Sequence, residues 1–132
     1  MLNNRRQLVN KIAIYGADWN NLEANFAPAV DQFNILLTHS LRHAELLVVR
    51  NSCFDLAICG HEHGGQVRLP WAKGVIGAKG TLFPDLRGIL TKGIKYVGQT
   101  MISVSSGAGW SLFPVRFGCP SEIVLYTIKP IK

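Results

Sequence analysis

"QFNILLTHSLRHAELLVVRNSCFDLAICGHEHGG", residues 32–65, decides the fold. It opens on a continuous apolar run, residues 32–40, ending in Thr38, His39 and Ser40. Such a run marks a strand buried on both faces. Residues 41–51 then place Leu41, Ala44, Leu47 and Val48 on one face at helical spacing. "FDLAICG", residues 54–60, reads as a second buried strand. Strand, helix and strand over so short a span make a βαβ unit with a parallel pair.

The parallel pair has a chemical consequence. Both strands end at the same edge of the sheet, where open α/β sheets bind their ligands. His39 closes the first strand, and His61 and His63 stand just past the second, so three of the four histidines converge. Residues i and i+2 of an extended segment point to one side, and Gly60, Gly64 and Gly65 allow a tight turn around them. Neutral imidazole is the commonest transition-metal ligand. His39, His61 and His63 are therefore the candidate metal ligands. An isolated H-x-H in a polar loop needs no metal; the convergence with His39 is what favours one. His43, one helical turn on, reads as a surface or packing residue.

Three histidines suffice for a catalytic zinc with an open position. They equally suit the histidine-rich half of a two-metal site, which also needs a bridging carboxylate to hold ions ~3.5–4 Å apart. The carboxylates at hand are Asp18, Asp31 and Asp55. Asp55 precedes its strand and so lies at the far edge; Asp18, after a first strand, is better placed.

Outward from the βαβ unit, residues 10–18 read as a short strand running into a turn. Residues 19–31 read as a loop and a short helix broken by Pro28. Residues 71–99 are a glycine-rich excursion over the ligand edge, with a short strand near Tyr96 and Val97. Residues 100–106 and 121–130 alternate like half-buried strands, and 107–120 form a turn-rich loop. Trp110, Phe113 and Arg116 in that loop either line a pocket or pack. Arg68 and Arg116 are candidate bidentate donors to a substrate phosphate.

Composition narrows the class. A chain of 132 residues, 48% of them apolar, suits a single domain with a modest core and excludes disorder. No apolar run approaches the ~20 residues of a membrane span. The basic pair Arg5 and Arg6 is followed by no apolar stretch of a signal peptide. These features leave localisation open between cytoplasmic and membrane-peripheral. Cys53, Cys59 and Cys119 are odd in number and lie in apolar surroundings, so they read as reduced, buried thiols. The net charge of +6 is spread along the chain rather than gathered into a stripe with aromatics, so no nucleic acid is expected. The spread charge is a solvated basic surface, or a rim that attracts a phosphorylated small molecule or lipid-linked substrate.

"NILLTHS", "DLAICGHEHGGQVRLP" and "LFPVRFGCPSEIVLYTI" together resemble the C-terminal half of the calcineurin-like metallophosphoesterases, over roughly residues 10–130. The nearest branch is bacterial and carries "GHTHGGQ" and a "PVRFGCPPEI"-type tail. The resemblance implies a four-layer αββα sandwich around two divalent transition metals, manganese, iron or zinc. It implies hydrolysis of phosphate mono-, di- or pyrophosphate esters by a metal-activated hydroxide. It also implies that His39 and His61 bind one metal and His63 the other, with the turn after His61 shaping the substrate side. The family's D-x-H, G-D-x-x-D and G-N-H motifs do not occur here. Glu62 stands where Thr is usual, and Leu41 where Pro-Asp tends to follow His-Ser.

Residues 1–132 are therefore expected to form one partial domain, the C-terminal half, that starts mid-domain. A complementary N-terminal half or self-association would complete it. The competing expectation is a catalytically inactive remnant that persists as a metal-binding or partner-binding module. Such a remnant would expose an apolar sheet face. A self-contained zinc hydrolase built on the three histidines is the third.

Overall fold

The computed structural model describes residues 3–20, 24–27, 29–51, 53–71, 74–76, 82, 84 and 88–129. Strands β1 (Arg5–Val9), β2 (Ile12–Gly16), β3 (Phe33–Ser40), β4 (Leu56–Gly60), β5 (Gly93–Val97) and β6 (Thr100–Val104) form one sheet, with helix α1 (Leu41–Asn51) between β3 and β4. The order across the sheet is β1-β2-β3-β4-β6-β5. The four inner strands run parallel, and β1 and β5 close the two edges antiparallel. The fold is α/β with a mixed sheet and one βαβ unit, as the apolar runs and the helical spacing predict.

Alternation along the strands sorts the side chains into two faces. Ala13, Tyr15, Leu36, Ala57, Cys59, Ile102 and Val104 are buried on the face that α1 covers with Leu41, Ala44, Leu47 and Val48. Each such large aliphatic or aromatic side chain contributes about 1.5–3 kcal/mol by leaving water. Tyr15, Phe26 and Phe54 meet edge to face, with ring centroids 5.4, 5.3 and 6.0 Å apart, at the end remote from the histidines. The opposite face is an apolar ladder in register, Ile12 beside Phe33, Ile14 beside Ile35, Ile35 beside Leu56 and Leu37 beside Ile58. It is covered unevenly: Ile35 and Leu56 are buried, whereas Leu37 is 38% exposed.

Two expectations need correction, and one strand was not expected. The short helix expected within 19–31 is not there: among its described residues, 19–20, 24–27 and 29–31, none is helical. Pro28 lies outside the described residues. The backbone there bonds to side chains instead. Asn51 accepts from Phe26 N and donates to Ala24 O, and Tyr15 Oη donates to Ala27 O and accepts from Ala29 N. The strand expected at 121–130 is also absent over residues 121–129. The segment alternates, but it meets the sheet through Tyr126 on Ser103 of β6 and joins no ladder. Ile123 and Leu125 consequently stand 96% and 90% exposed, while Tyr126 Oη meets Ser103 Oγ at 2.7 Å on the sheet. The unexpected strand is β1, which carries no apolar periodicity. All five of its residues are exposed, and it is held only by pairing with β2 through a turn at Asn10, whose φ is +55°. Part of the glycine-rich excursion, 72–73, 77–81, 83 and 85–87, lies outside the described residues; its expected strand near Tyr96 is β5. No helix among the described residues is long and apolar enough to cross a membrane.

Candidate functional site

The parallel strands deliver their carboxyl ends to one edge, and the chain continues there in register. Ala17 N donates to Leu37 O after β2, and Ser105 N donates to Cys59 O after β6. At this edge His39 Nε2 and His61 Nδ1 lie 2.7 Å apart, sharing a hydrogen bond whose direction depends on the tautomers. Trp19, arriving from the loop after β2, packs against both rings, edge-on to His39 at 4.6 Å between centroids and tilted over His61 at 5.1 Å. Asp18 and Trp19 line the same open cleft as His39 and Leu37. Asp18 is turned onto its own loop, its Oδ1 accepting from Asn20 N at 2.8 Å.

His39 has its pKa pushed below the ordinary 6.5, first by burial and then by the charges of His63 and His43. It is therefore neutral near pH 7, the form in which imidazole ligates a metal. Two nitrogens each ~2.0–2.1 Å from one tetrahedral ion stand roughly 3.3 Å apart. The His39–His61 pair reaches that spacing by a small parting of the rings, so this pair fits a shared divalent ion. His63 sits on the next turn of the same loop, close enough for its charge to act on His39. Among the described residues no three His, Cys, Asp or Glu side chains are grouped to hold one ion.

The backbone around His63 explains the glycines beside it. Residues 63–65 form a single 3-10 turn, closed by Gly65 N donating to Glu62 O and Gln66 N to His63 O. His61, His63, Gly64, Gly65 and Gln66 all take left-handed φ, from +40° to +82°. A Cβ on Gly64 would strike Cys119 Sγ and stand 2.7 Å from Ser106 Cβ; one on Gly65 would stand 2.6 Å from Gly74 Cα. Close packing and backbone sign thus both require glycine.

The remaining candidates fall in other places. His43 is buried, with Nδ1 2.9 Å from Thr38 Oγ1, a packing role as its helical position predicts. Asp55 holds the opposite edge, its Oδ2 accepting from Asn34 N at 2.6 Å, and Asp31 sits in the turn that starts β3. Arg68 donates to Gly64 O and Thr91 Oγ1, beneath the glycine turn. Arg116 donates to four carbonyls, of Ser106, Gly109, Cys119 and Pro120. Both guanidiniums thus meet the chain's own oxygens. Trp110 and Phe113 are neither packed nor lining these clefts; each is about three-fifths exposed, at 59% and 60%. The cysteines are free thiols, and burial, followed by the charge of Glu45, pushes Cys59 up to about 12.

Sequence reasoning missed Gln66 and Cys119. Gln66 is fully buried, accepting from Ser111 N and donating to Phe113 O at 2.8 Å, so it clips the distal loop to the histidine turn. Cys119 Sγ donates to the carbonyls of His63 and Gly64. The available signal was their presence inside the two quoted stretches, "HGGQ" and "FGCP".

No protein-family model matches the chain. No solved structure matches it either. Among curated proteins it is similar to the metallophosphoesterase YkuE of Bacillus subtilis (strain 168), 34% identical over 97 residues, 74% of this chain. A metallophosphoesterase of Helicobacter pylori (strain J99) is 34% identical over 116 residues, 80% of the chain. The phosphodiesterase YaeI of Escherichia coli (strain K12) is 32% identical over 91 residues, 69% of the chain. The matches span 31%, 28% and 30% of those proteins, under a third of their length. Over the stretch it shares with them, the chain belongs to the calcineurin-like metallophosphoesterase family.

Proposed function

We propose that this chain carries the histidine half of a two-metal centre that hydrolyses phosphate esters. The observation that carries this reading is the His39–His61 nitrogen pair, 2.7 Å apart at the carboxyl edge of the parallel strands. His39 and His61 hold one divalent ion, manganese, iron or zinc, and His63 contributes to the second. When bound, such ions polarise phosphoryl oxygens and lower the pKa of the attacking water. The chain's own part is positional. Trp19 walls the pair on one side, and the left-handed turn of residues 61–66 fixes the direction of His63. The substrate is a phosphorylated small molecule or a lipid-linked phosphate, drawn by the chain's net positive charge.

The centre is completed from outside the 132 residues, by a complementary half that stacks on the ladder of Ile12, Phe33, Leu37 and Ile58 and gives the four-layer sandwich. The partial exposure of Leu37 and the near-full exposure of Ile123 and Leu125 support this reading. So does the share of the relatives that the chain spans. Self-association through the same face is the other route. Zinc titration followed calorimetrically is the test. Binding that is weakened at least tenfold in both His39→Ala and His61→Ala is expected. Zinc binding indifferent to both substitutions would refute it.

A second reading is an inactive module that keeps metal or partner binding without turnover. It is favoured by the absence of a three-donor group among the described residues. The discriminating assay is manganese-dependent hydrolysis of p-nitrophenyl phosphate. Little turnover by the chain alone fits both readings. Turnover that appears when a relative's N-terminal half is added supports the enzyme, and none even then supports the inactive module.

A further inference from the structure

The main chain of His63 is gripped from a segment more than forty residues away. Cys119, 1% exposed, places Sγ 3.5 Å from His63 O and 3.4 Å from Gly64 O. That sulfur in turn accepts from Arg116 Nη2 at 3.5 Å. The same guanidinium gives Nε to Cys119 O at 2.8 Å, Nη1 to Gly109 O at 2.6 Å, and Nη1 and Nη2 to Ser106 O at 3.2 Å. Two of these carbonyls belong to residues beside the His63 turn. Ser106 lies beneath Gly64, and Gly109 stands so close that a Cβ there would meet His63 Cε1 at 3.5 Å. His39 stands at the carboxyl end of β3, and His61 follows that of β4.

We propose that Arg116 and Cys119 are positioning residues for His63, a guanidinium-to-thiol-to-carbonyl relay that fixes the left-handed turn and hence the direction of that imidazole. The proposal rests on the two-metal reading only for its consequence on metal binding; the geometric part stands without metal. Arginine suits the role because its planar fork carries five donors and spans several carbonyls at once. Lysine, a single ammonium at the end of a flexible stem, cannot reach Ser106, Gly109, Cys119 and Pro120 together. Groups that orient metal ligands from behind commonly alter metal affinity by about 10–100-fold when changed. The relay meets the histidine loop at the carbonyls of His63 and Gly64, so its loss is expected to act first on His63.

That selectivity is the test. Ring correlations of the histidines and amide signals of the full chain are recorded in unaltered protein, Arg116→Lys and Cys119→Ala, first without metal and then through a zinc titration. Without metal, the signals of His63, Gly64 and Gly65 are expected to move in both variants while those of His39 and His61 stay. With zinc, the midpoint of the His63 response is expected to rise about tenfold or more, while His39 and His61 keep theirs. A general loss of stability would shift all three histidines alike, and that result overturns the proposal. So does a His63 that keeps its metal-free signals in both variants. If no histidine of the unaltered chain responds to zinc, the two-metal reading fails instead, and the metal-free spectra alone decide the positioning role.

Discussion

The βαβ unit and the distal segment after β6 hold their backbones in opposite ways. From Phe33 to Gly60 nearly every polar main-chain group belongs to a ladder or to α1, and the side chains are free to pack. From Ser105 to Lys129 no strand or helix forms, and the chain is pinned by side chains and by an isolated bridge of Phe117 to Val67. Gln66, Arg116, Glu122 and Tyr126 each bond across to it or from it. The first region is a sum of many small, replaceable burials. The second depends on a few polar clips, so a single change there is local in reach but complete in effect.

The largest expected effect tests the first region. Leu47→Ala empties a fully buried position between α1 and the sheet, and should cost about 2–5 kcal/mol in urea denaturation, with the whole chain unfolding at lower denaturant. A loss below about 1 kcal/mol would mean that α1 is not the cover of this sheet. Gly64→Ala tests the second region. It combines a left-handed φ of +66° with a collision against Cys119 and Ser106, and about 2–4 kcal/mol is expected. Hydrogen exchange should show the loss concentrated at residues 61–68 and 105–120, with β3 and β4 keeping their protection. Equal loosening everywhere would erase the distinction between the regions.

Smaller effects sharpen it. Ser106 Oγ is the buried side-chain polar atom left without a hydrogen-bond partner among the described residues. Deleting it by Ser106→Ala should be neutral or stabilising by up to about 1 kcal/mol; a destabilisation beyond that would reveal a hidden partner. The smallest effect is the titration of His39. Its folded pKa is depressed, so the neutral form is favoured on folding. Stability of the metal-free chain is therefore fully present above 6.5 and is lost as pH falls from 6.5 through the lower folded value. His39→Gln should flatten that slope. An unchanged slope would place its origin in another group. Solvent around this largely exposed ring keeps the effect modest.

How much was legible in the sequence follows the same division. β3, α1 and β4 were readable because their side-chain periods, 2 and 3.6, are written by burial against one another. The placing of His39 and His61 at one edge then followed from strand direction alone. β1 was not readable: Arg5, Arg6 and Gln7 bury nothing, and only a ladder with β2 makes them a strand. The 121–129 segment misled for the converse reason. Its alternation is real, yet the segment meets the sheet by a side chain, Tyr126 on Ser103, and not by a backbone ladder. Arg116 and Cys119 were visible as residues, but their work lies in bonding to carbonyls, which have no sequence signature. Composition and spacing thus expose what is apolar or periodic, and conceal what is held by main-chain oxygen.

The two edge strands carry one more consequence. Arg5 and Arg6 lie on one outer strand, and Lys95 stands midway along the other, paired with Glu45 at 2.6 Å. Charges on a rim discourage another strand from joining it. The charged rims of the sheet thus disfavour widening it. On the proposed reading, a complementary half would add a second storey rather than a wider floor. The histidine edge, set at the brink of that uncovered face, would then open between the two storeys.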